Sequence, residues 1–567
     1  MKRTTEAWFA IIFIFSLLTA GAVAQGEQVT VSGRALDPEG AAISGATITL
    51  LQKSAGFERV TVTDDSGAFR FTGVAPGSYI LSVNFSGFST FVREFNFTTE
   101  ESRNLELVLR PGAISERLTV TATRAESLAA DTPVPVSVIE RAEIERRTLT
   151  TIGDLFRRLP GTSTVNEGPF QVRPRIRGLD SNRVLILVDG ERLNNARTST
   201  SNSGIEIGLV DVGQIESVEV ARGSGSVLYG TDALAGTINI ITRGTPPRPD
   251  SGFRFEGGFN GFFSSNETGR RGSAYLAGAW SRFAFRVAQT LDRFDNYHSG
   301  AVPTPFGEDD SDRATEVVNS QYHGGNTQVV GRFFLDDRQS LSAHYERRRA
   351  ADIGVPAVAG VFTAFFPFSD RDKVSARYEG HNLTGALARL AASVYYQRQE
   401  RNFSNTLSVP AAPPAFPGSF QFSETITDTR SAGFDLQSNW AFGTKNVLTT
   451  GASYFRDRNR DARFIERLSP DFSTFPPRLA RSTDESRSVP DATFGDLAFF
   501  AQDEFQATRW LRVVGGARVD RFDINSERTP GFDLPPFFTP AQIEDLGLTG
   551  LADGLKVNDT AVSGDLG

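Results

Sequence analysis

Four histidines, His298, His323, His344 and His381, are the only imidazoles in the chain. His298 and His323 sit on a long polar segment, a placement that suits haem ligation and equally suits side chains that only meet water. No pair has the His-x-x-x-His spacing that sets two ligands on one helix face. Cysteine is absent and the single Met is the initiator. Thiolate metal sites, disulfides, a cysteine nucleophile and thioether ligands are thereby excluded. Glu308-Asp-Asp-Ser-Asp312 and the pair Asp64/Asp65 offer oxygen ligands of the kind calcium takes. The first also reads as a solvated loop, and the second as an ordinary hairpin turn. Arg222-Gly-Ser-Gly-Ser226 has the glycines of a nucleotide loop without the third Gly or the Lys-Ser/Thr partner. No Gly-x-Ser-x-Gly elbow is present. The sequence therefore assigns no catalytic residue, no metal and no cofactor, and the expectation is a protein that is not an enzyme.

The residues most tightly patterned are structural. One stretch reads Arg175-Ile-Arg-Gly-Leu-Asp-Ser-Asn-Arg-Val-Leu-Ile-Leu-Val-Asp-Gly190. A second reads Ile215-Glu-Ser-Val-Glu-Val-Ala-Arg-Gly-Ser-Gly-Ser-Val-Leu-Tyr-Gly230 and closes with Thr237-Ile-Asn-Ile-Ile-Thr242. Each is a short apolar run bounded by glycines and charges. Val184 to Val188 has the pattern of a buried strand, and Asp189-Gly190 is a strong turn signal.

The chain of 567 residues has room for several domains, and its formal net charge of −8 argues against nucleic acid as a partner. It holds 46 Phe against 4 Trp, a count that suits a surface with much apolar area facing lipid. Lys2 and Arg3 precede an apolar run from Ala7 to Ala20, and Ala22-Val23-Ala24 is a small-x-small cleavage site. Residues 1–24 thus read as a signal peptide, with an uncleaved anchor as the alternative. No other segment approaches about 18 consecutive apolar residues, so a membrane crossing would have to be a closed β-barrel.

Residues 27–110 alternate like a small β-sandwich, with strand runs such as Val29–Ala35, Ala46–Leu51, Arg59–Thr63, Ala68–Phe71, Tyr79–Phe85 and Leu105–Leu109. Between Pro111-Gly112 and Pro133 lies a polar/apolar alternating stretch, Ser115 to Arg124. It suits edge-on pairing with another protein, or a plain linker. Pro133–Ile139 reads as a strand, and Arg141–Arg147 and Thr151–Leu159 as short helices. With the two patterned stretches they make an α+β domain over 116–243. From 252 to 567, runs of about ten residues alternate apolar with polar side chains. Eleven qualify: Phe253–Phe262, Ala274–Trp280, Phe283–Phe294, Gln328–Leu335, Ser340–Arg347, Val374–Gly380, Leu390–Arg398, Gly433–Phe442, Val447–Phe455, Leu497–Phe505 and Leu511–Phe522. Tight turns join some neighbours and long segments, such as Ser299–Asn326 and Ser408–Thr427, join others. That is the pattern of an antiparallel transmembrane barrel; a soluble sandwich of this size would be unusual. The fold class is mainly β.

Two resemblances follow. Val31-Ser-Gly33, Asp37, Gly45-Ala46, Thr63-Asp-Asp-Ser-Gly67-x-Phe69 and Pro76-Gly-Ser-Tyr79 resemble a carboxypeptidase regulatory-like domain, which implies no catalysis. Arg175, Arg177, Gly178, Asn182 to Gly190, Glu219, Arg222, Gly223, Tyr229, Gly230, Gly236 and Asn239 resemble the plug of TonB-dependent outer-membrane receptors. Two departures are Ser224-Gly225, where the family often has Pro, and Ala235-Gly236, where it often has Gly-Gly. The resemblance implies a bacterial outer-membrane receptor and active transporter that takes up a scarce small molecule, an iron chelate such as a ferric siderophore first. Haem, cobalamin, carbohydrate or peptide are the alternatives, and an adhesion protein anchored by a barrel is the rival of another class. It also implies a TonB-type inner-membrane partner gripping the box candidate Leu118, Thr119, Val120, Thr121 and Ala122. The family barrel has twenty-two strands, so about eleven strands make an incomplete wall. The reading frame is expected to continue past Gly567 for about 300 residues of further strands.

The charges Arg175, Arg177, Glu219 and Arg222 flank short strands and are placed to pair with each other or with a polar lumen. Buried pairs of this kind give registry more than net stability.

Overall fold

The computed structural model describes residues 29–52, 57–85, 88, 91–97, 103–109, 118–119, 127–128, 134–147, 149–166, 168–195, 205–223, 225–249, 252–300, 315–356, 361–412, 416–443, 446–508, 511–532, 534, 539–546, 550 and 553–566. The signal segment, Val120, Thr121, Ala122 and the acidic loop 308–312 lie outside the described residues.

Seven strands open the chain: β1 Val29–Leu36, β2 Thr47–Gln52, β3 Phe57–Val62, β4 Ala68–Val74, β5 Gly77–Asn84, β6 Phe91–Phe97 and β7 Arg103–Val108. They form two sheets, in the orders β4-β1-β7 and β3-β2-β5-β6. Period-two alternation turns Val31, Phe69 and Leu107 of one sheet and Ile48, Leu50, Leu81 and Phe97 of the other into a shared core. The strand runs read from sequence account for six of the seven. β6 was missed because its Phe-Val-Arg-Glu-Phe stretch is half exposed and lies on a sheet edge. Asp64 Oδ1 accepts from Ser66 N, Ser66 Oγ and Ala68 N at 2.9, 2.7 and 2.9 Å, so it closes the β3–β4 hairpin as a turn residue.

Two short pairs and a five-stranded sheet follow. β8 Leu118–Thr119 pairs with β9 Ser127–Leu128. The sheet has the order β10-β15-β16-β13-β14. Its strands are β10 Val136–Glu140, β13 Val184–Val188, β14 Glu191–Arg192, β15 Ile215–Ala221 and β16 Gly236–Thr242. β11 Thr162–Asn166 and β12 Val172–Ile176 form a separate hairpin. Helix Arg141–Arg146 and the 3-10 helix Ile152–Arg158 cover the sheet, and Leu155 and Phe156 join Ile186, Val218, Ile238 and Ile240 in its core. β13 is buried at all five positions and runs parallel to β16. Continuous apolar sequence is what such a central strand requires.

The rest is one large antiparallel sheet. Its path is β17 Arg254–Ser264, β18 Gly269–Ala279, β19 Phe283–Phe294, β22 Tyr322–Phe334, β23 Gln339–Val355, β24 Phe362–His381, β25 Leu387–Val409, β26 Ser419–Phe442, β27 Asn446–Asp471, β29 Ala492–Gln506, β30 Arg512–Ser526 and β31 Lys556–Leu566. β20 His298–Ser299 pairs with β21 Thr315–Glu316, and β28 Arg478–Ser486 extends β27. Every one of the eleven runs read from sequence falls on a strand of this path; β31 is the twelfth. Segment 408–427 is mostly strand, because β25 and β26 run on toward their connection. Connections of three to five residues follow Ala279, Phe334, His381 and Phe442, all at one end, whereas the other end has the four-residue turn 265–268 and several much longer connections. One face carries exposed apolar side chains such as Phe259, Val394 and Phe499; the other buries Arg348, Arg371 and Arg518. At the short-turn end Phe253, Trp280, Phe283 and Phe285 form a ring cluster, with Phe253 and Trp280 centroids 4.7 Å apart. Rings at this level are what an interfacial aromatic girdle is built from. Among the described residues no helix is long and apolar enough to cross a membrane.

Candidate functional site

The α+β domain meets the polar face of the large sheet, and the meeting centres on Asp189-Gly190. Both residues have positive φ, 57° and 79°, as a two-residue reversal between β13 and β14 demands. Asp189 uses both oxygens: Oδ1 accepts from Thr242 N and Oδ2 from Thr242 Oγ1, each at 2.8 Å. Gly190 N donates to Asn239 Oδ1 at 3.1 Å. Buried Asn194 braces the same strand, accepting from Ile186 N and donating to Val184 O, both at 2.9 Å. The turn is thus fixed to β16 on one side and to its own strand on the other.

The sheet wall then grips it. Lys373 Nζ lies 2.6 Å from Glu191 Oε2, with both side chains buried, and donates to Val188 O at 3.3 Å. His344 Nδ1 lies 3.7 Å from Asp189 Oδ2, and Arg377 donates to Asp189 O at 3.5 Å. Arg401 sits 3.8 Å from Glu206. At these positions the domain is acidic and the wall basic.

Further contacts extend the seat. Arg286 donates to Gln214 Oε1 at 2.8 Å, and Gln214 donates to Thr290 Oγ1 at 3.2 Å. Arg271 donates to Leu149 O and Thr150 O at 3.1 and 2.6 Å. Arg518 donates to Leu228 O at 3.3 Å. Arg192 pairs with Asp232 and lies over the Phe455 ring at 4.4 Å, and burial lowers its pKa. Toward the long-connection end, a cavity of about 380 Å³ opens between domain and wall, lined by Thr150, Asp154, Arg157, Glu267, Tyr297 and Ser320.

The residues singled out from sequence separate into two groups. Asp189, Gly190 and Asn239 form the gripped turn, and Gly230 sits against Arg518, 3.1 Å from where a Cβ would be. The others make contacts within the domain or elsewhere, away from the gripped turn. Arg175 pairs with Asp180 at 3.1 Å. Arg177 and Gly178 make a second positive-φ reversal at the end of β12, closed by the Ile176–Leu179 bridge. Arg222 donates to Ser137 Oγ and Pro160 O at 2.8 and 3.1 Å, and Gly223 abuts Val134. Glu219 is buried in β15. Tyr229 packs on Leu185, Leu187 and Ala233. Gly236 is obligatory, since a Cβ there would lie 2.3 Å from Ala221 O. Leu118 and Thr119 pair with Leu128 and Ser127. His298 Nδ1 lies 3.1 Å from Asn266 O, and His323 lies 3.5 Å from Asp352.

The sequence assigns no role to Glu191, Gln214, Lys373, Arg377 and Arg518, and shows His344 only as one of four imidazoles. For the wall residues the available signal is polar side chains at alternate positions of barrel-type strands, which must face a lumen.

Three family descriptions match the chain: a carboxypeptidase regulatory-like domain over residues 30–110, a TonB-dependent receptor plug domain over 129–237, and a TonB dependent receptor-like β-barrel over 305–542. The last two are successive domains of one receptor, and together they take in more than half of the chain. The chain belongs to the TonB-dependent receptors, with a regulatory-like domain ahead of the plug. Such receptors are outer-membrane proteins, and so is this one; the family is one of receptors and transporters rather than enzymes. Over 130 residues it is 40% identical to the vitamin B12 transporter BtuB of Vibrio vulnificus, covering 23% of this chain and 21% of that protein. Over 131 residues it is 41% identical to an iron-regulated outer membrane virulence protein of Vibrio cholerae, covering 23% of this chain and 20% of that protein.

Among solved structures, the copper transporter OprC aligns with a TM-score of 0.55 at 18% identity, over 76% of this chain and 60% of that one. The siderophore receptor PiuA of Acinetobacter baumannii aligns with a TM-score of 0.53 at 19% identity, over 78% and 62%. These likenesses concern the fold. The chain spans about three fifths of each of these structures, and its match reaches about a fifth of the curated relatives.

Proposed function

We propose that the chain belongs to an active importer that takes up a scarce ligand, a ferric siderophore first, under the pull of a TonB-type protein. The observation that carries this reading is the buried polar seat of the plug, Glu191–Lys373 above all. A domain held in a lumen by ion pairs and hydrogen bonds can be displaced into water without exposing an apolar surface, because water replaces each contact. An anchor for adhesion has no use for such a seat. The names of the relatives support an iron or cofactor ligand: an iron-regulated virulence protein, a vitamin B12 transporter and a siderophore receptor. In this reading Leu118 to Ala122 is the gripped segment, 27–110 the appended sandwich, 116–243 the plug and 252–567 the first part of the barrel.

The test is deletion of residues 116–123. Ligand still binds whole cells, and energised uptake and growth under iron limitation are lost. Unchanged uptake would sink the transport reading. Normal growth under iron limitation together with failed growth on a glycan would move the ligand to carbohydrate.

A further inference from the structure

The turn 265–268 between β17 and β18 holds a glutamate that avoids water. Glu267 is 7% exposed, although its neighbours Asn266 and Thr268 both meet solvent. The backbone keeps it so. Thr268 has a φ of 49°, Asp295 N donates to Glu267 O at 2.9 Å, and His298 N donates to Asn266 Oδ1 at 2.7 Å. The Glu267 side chain lines the cavity of about 380 Å³ between the plug and the wall.

A buried carboxylate is normally met by a cation or by several donors. Glu267 is met by one hydroxyl: Thr150 Oγ1 donates to Oε1 at 3.3 Å. Among the described residues nothing donates to Oε2, and no Lys, Arg or His nitrogen lies within ion-pair distance of either oxygen. The nearby guanidiniums are engaged elsewhere. Arg271 donates to Leu149 O and Thr150 O, Arg157 lies 3.6 Å from Asp154, and Arg293 lies 3.4 Å from Asp295. Asp154 and Asp295 line the same cavity, so among the described residues three carboxylates line it against one guanidinium, that of Arg157.

The lining also has an apolar part, with Pro169, Phe294 and Pro356. Gly168, at a φ of 112°, brings the β11–β12 connection against the end of β23, where a Cβ would lie 3.0 Å from Pro356 Cδ. Phe294 stacks on Tyr322 with centroids 4.8 Å apart, which fixes its ring. The volume lies toward the low end of the roughly 300–1,000 Å³ range of small-molecule sites. Among the described residues no three His, Cys, Asp or Glu side chains converge closely enough to hold a metal ion. The unmet need at Glu267 is for a compact cationic donor.

We propose that this cavity takes a primary ammonium group of the imported ligand, with Glu267 Oε2 as its acceptor and a short apolar stem against Pro169, Phe294 and Pro356. This assignment, which rests on the importer reading, gives the ligand a free amine beside the part that carries its cargo. An ammonium is a compact charge with three donors, and its bond to a carboxylate is charge-assisted. The excess of carboxylates repels an anionic arm at the same place.

The probes are n-butylammonium and its neutral analogue n-butanol, bound to the full receptor in nanodiscs and read by ligand-observed NMR against empty discs. The wild type is expected to bind the ammonium about tenfold more tightly than the alcohol. Glu267→Gln keeps the side chain's shape and an acceptor for Thr150, and is expected to abolish that preference. Equal affinities in the wild type, or no ammonium binding, overturn the proposal even if the glutamine variant does not fold, since a Glu267 that needs no cation is already neutral. An undiminished preference in folded Glu267→Gln overturns it as well. Binding is measured without energy input. Failure of the amine site is therefore read in binding, and failure of the importer reading in uptake after deletion of residues 116–123.

Discussion

The sandwich and the plug both enclose apolar cores of β-strands, yet they join the rest of the molecule differently. The sandwich closes Val31, Ile48, Leu50, Phe69 and Leu81 between two sheets, and Gln52 accepts a hydrogen bond from Asn382 of the β24–β25 turn at 3.1 Å. The plug closes Ile186, Val218, Ile238 and Ile240 likewise, but its rim meets four zones of the wall through Lys373, Arg286, Arg271 and Arg518. Core burial makes each domain a folded unit. Polar contact at the rim decides how firmly a unit is seated, and it can be exchanged for water one bond at a time.

The contrast can be broken most sharply at the seat. Lys373→Met leaves Glu191 buried without its cation, which costs about 3–5 kcal/mol. Amide exchange in β13 and β14 is expected to accelerate while exchange in the sandwich stays as it was. The double change Lys373→Met/Glu191→Met restores most of the protection, because no buried charge is left alone. Unchanged plug exchange in the single variant would remove the seat from the argument.

A somewhat smaller effect tests the other side. Leu50→Ala is expected to destabilise the sandwich by about 2–4 kcal/mol through lost burial and a cavity. Limited proteolysis should then cut between residues 29 and 109 and leave the plug and large sheet protected. Coincident loss of plug protection would mean that the two units fold as one.

The smallest effect is set by pH. The Ser66 hydroxyl, then the Ala68 and Ser66 amides, hold the Asp64 carboxyl below its ordinary value of 3.8. A carboxyl so depressed contributes its stabilisation above that ordinary value and loses it as pH falls through the lower folded value. The melting temperature of the sandwich should therefore drop below about pH 4, and Asp64→Asn should flatten that acid limb. An identical acid limb in the variant would place the sensitivity elsewhere.

Much of this architecture was readable in the chain, for reasons that differ by region. Strand positions in the large sheet were visible wherever one face meets lipid and the other a lumen, as at Val447–Phe455. Strand lengths were not: β26 was visible as Gly433–Phe442 but begins at Ser419. Past the lipid both faces are polar and the alternation fades. In the plug, the Asp189-Gly190 and Arg177-Gly178 reversals were legible as local turn chemistry. Their partners were not, because Lys373 and Arg377 lie more than 180 residues further on and register alone brings them round.

The order of the plug sheet has a mechanical meaning. β10 is one edge and β14 the other, and β14 carries Glu191, the residue fastened to the wall. In the proposed reading, tension from the N-terminal side passes the β8–β9 pair and then reaches β10, whose five-residue ladder with β15 is the first part of the plug sheet to bear it. The fastened edge lies four strands away. A pulled plug of this topology yields from its free margin inward, like a page lifted from the side opposite its binding.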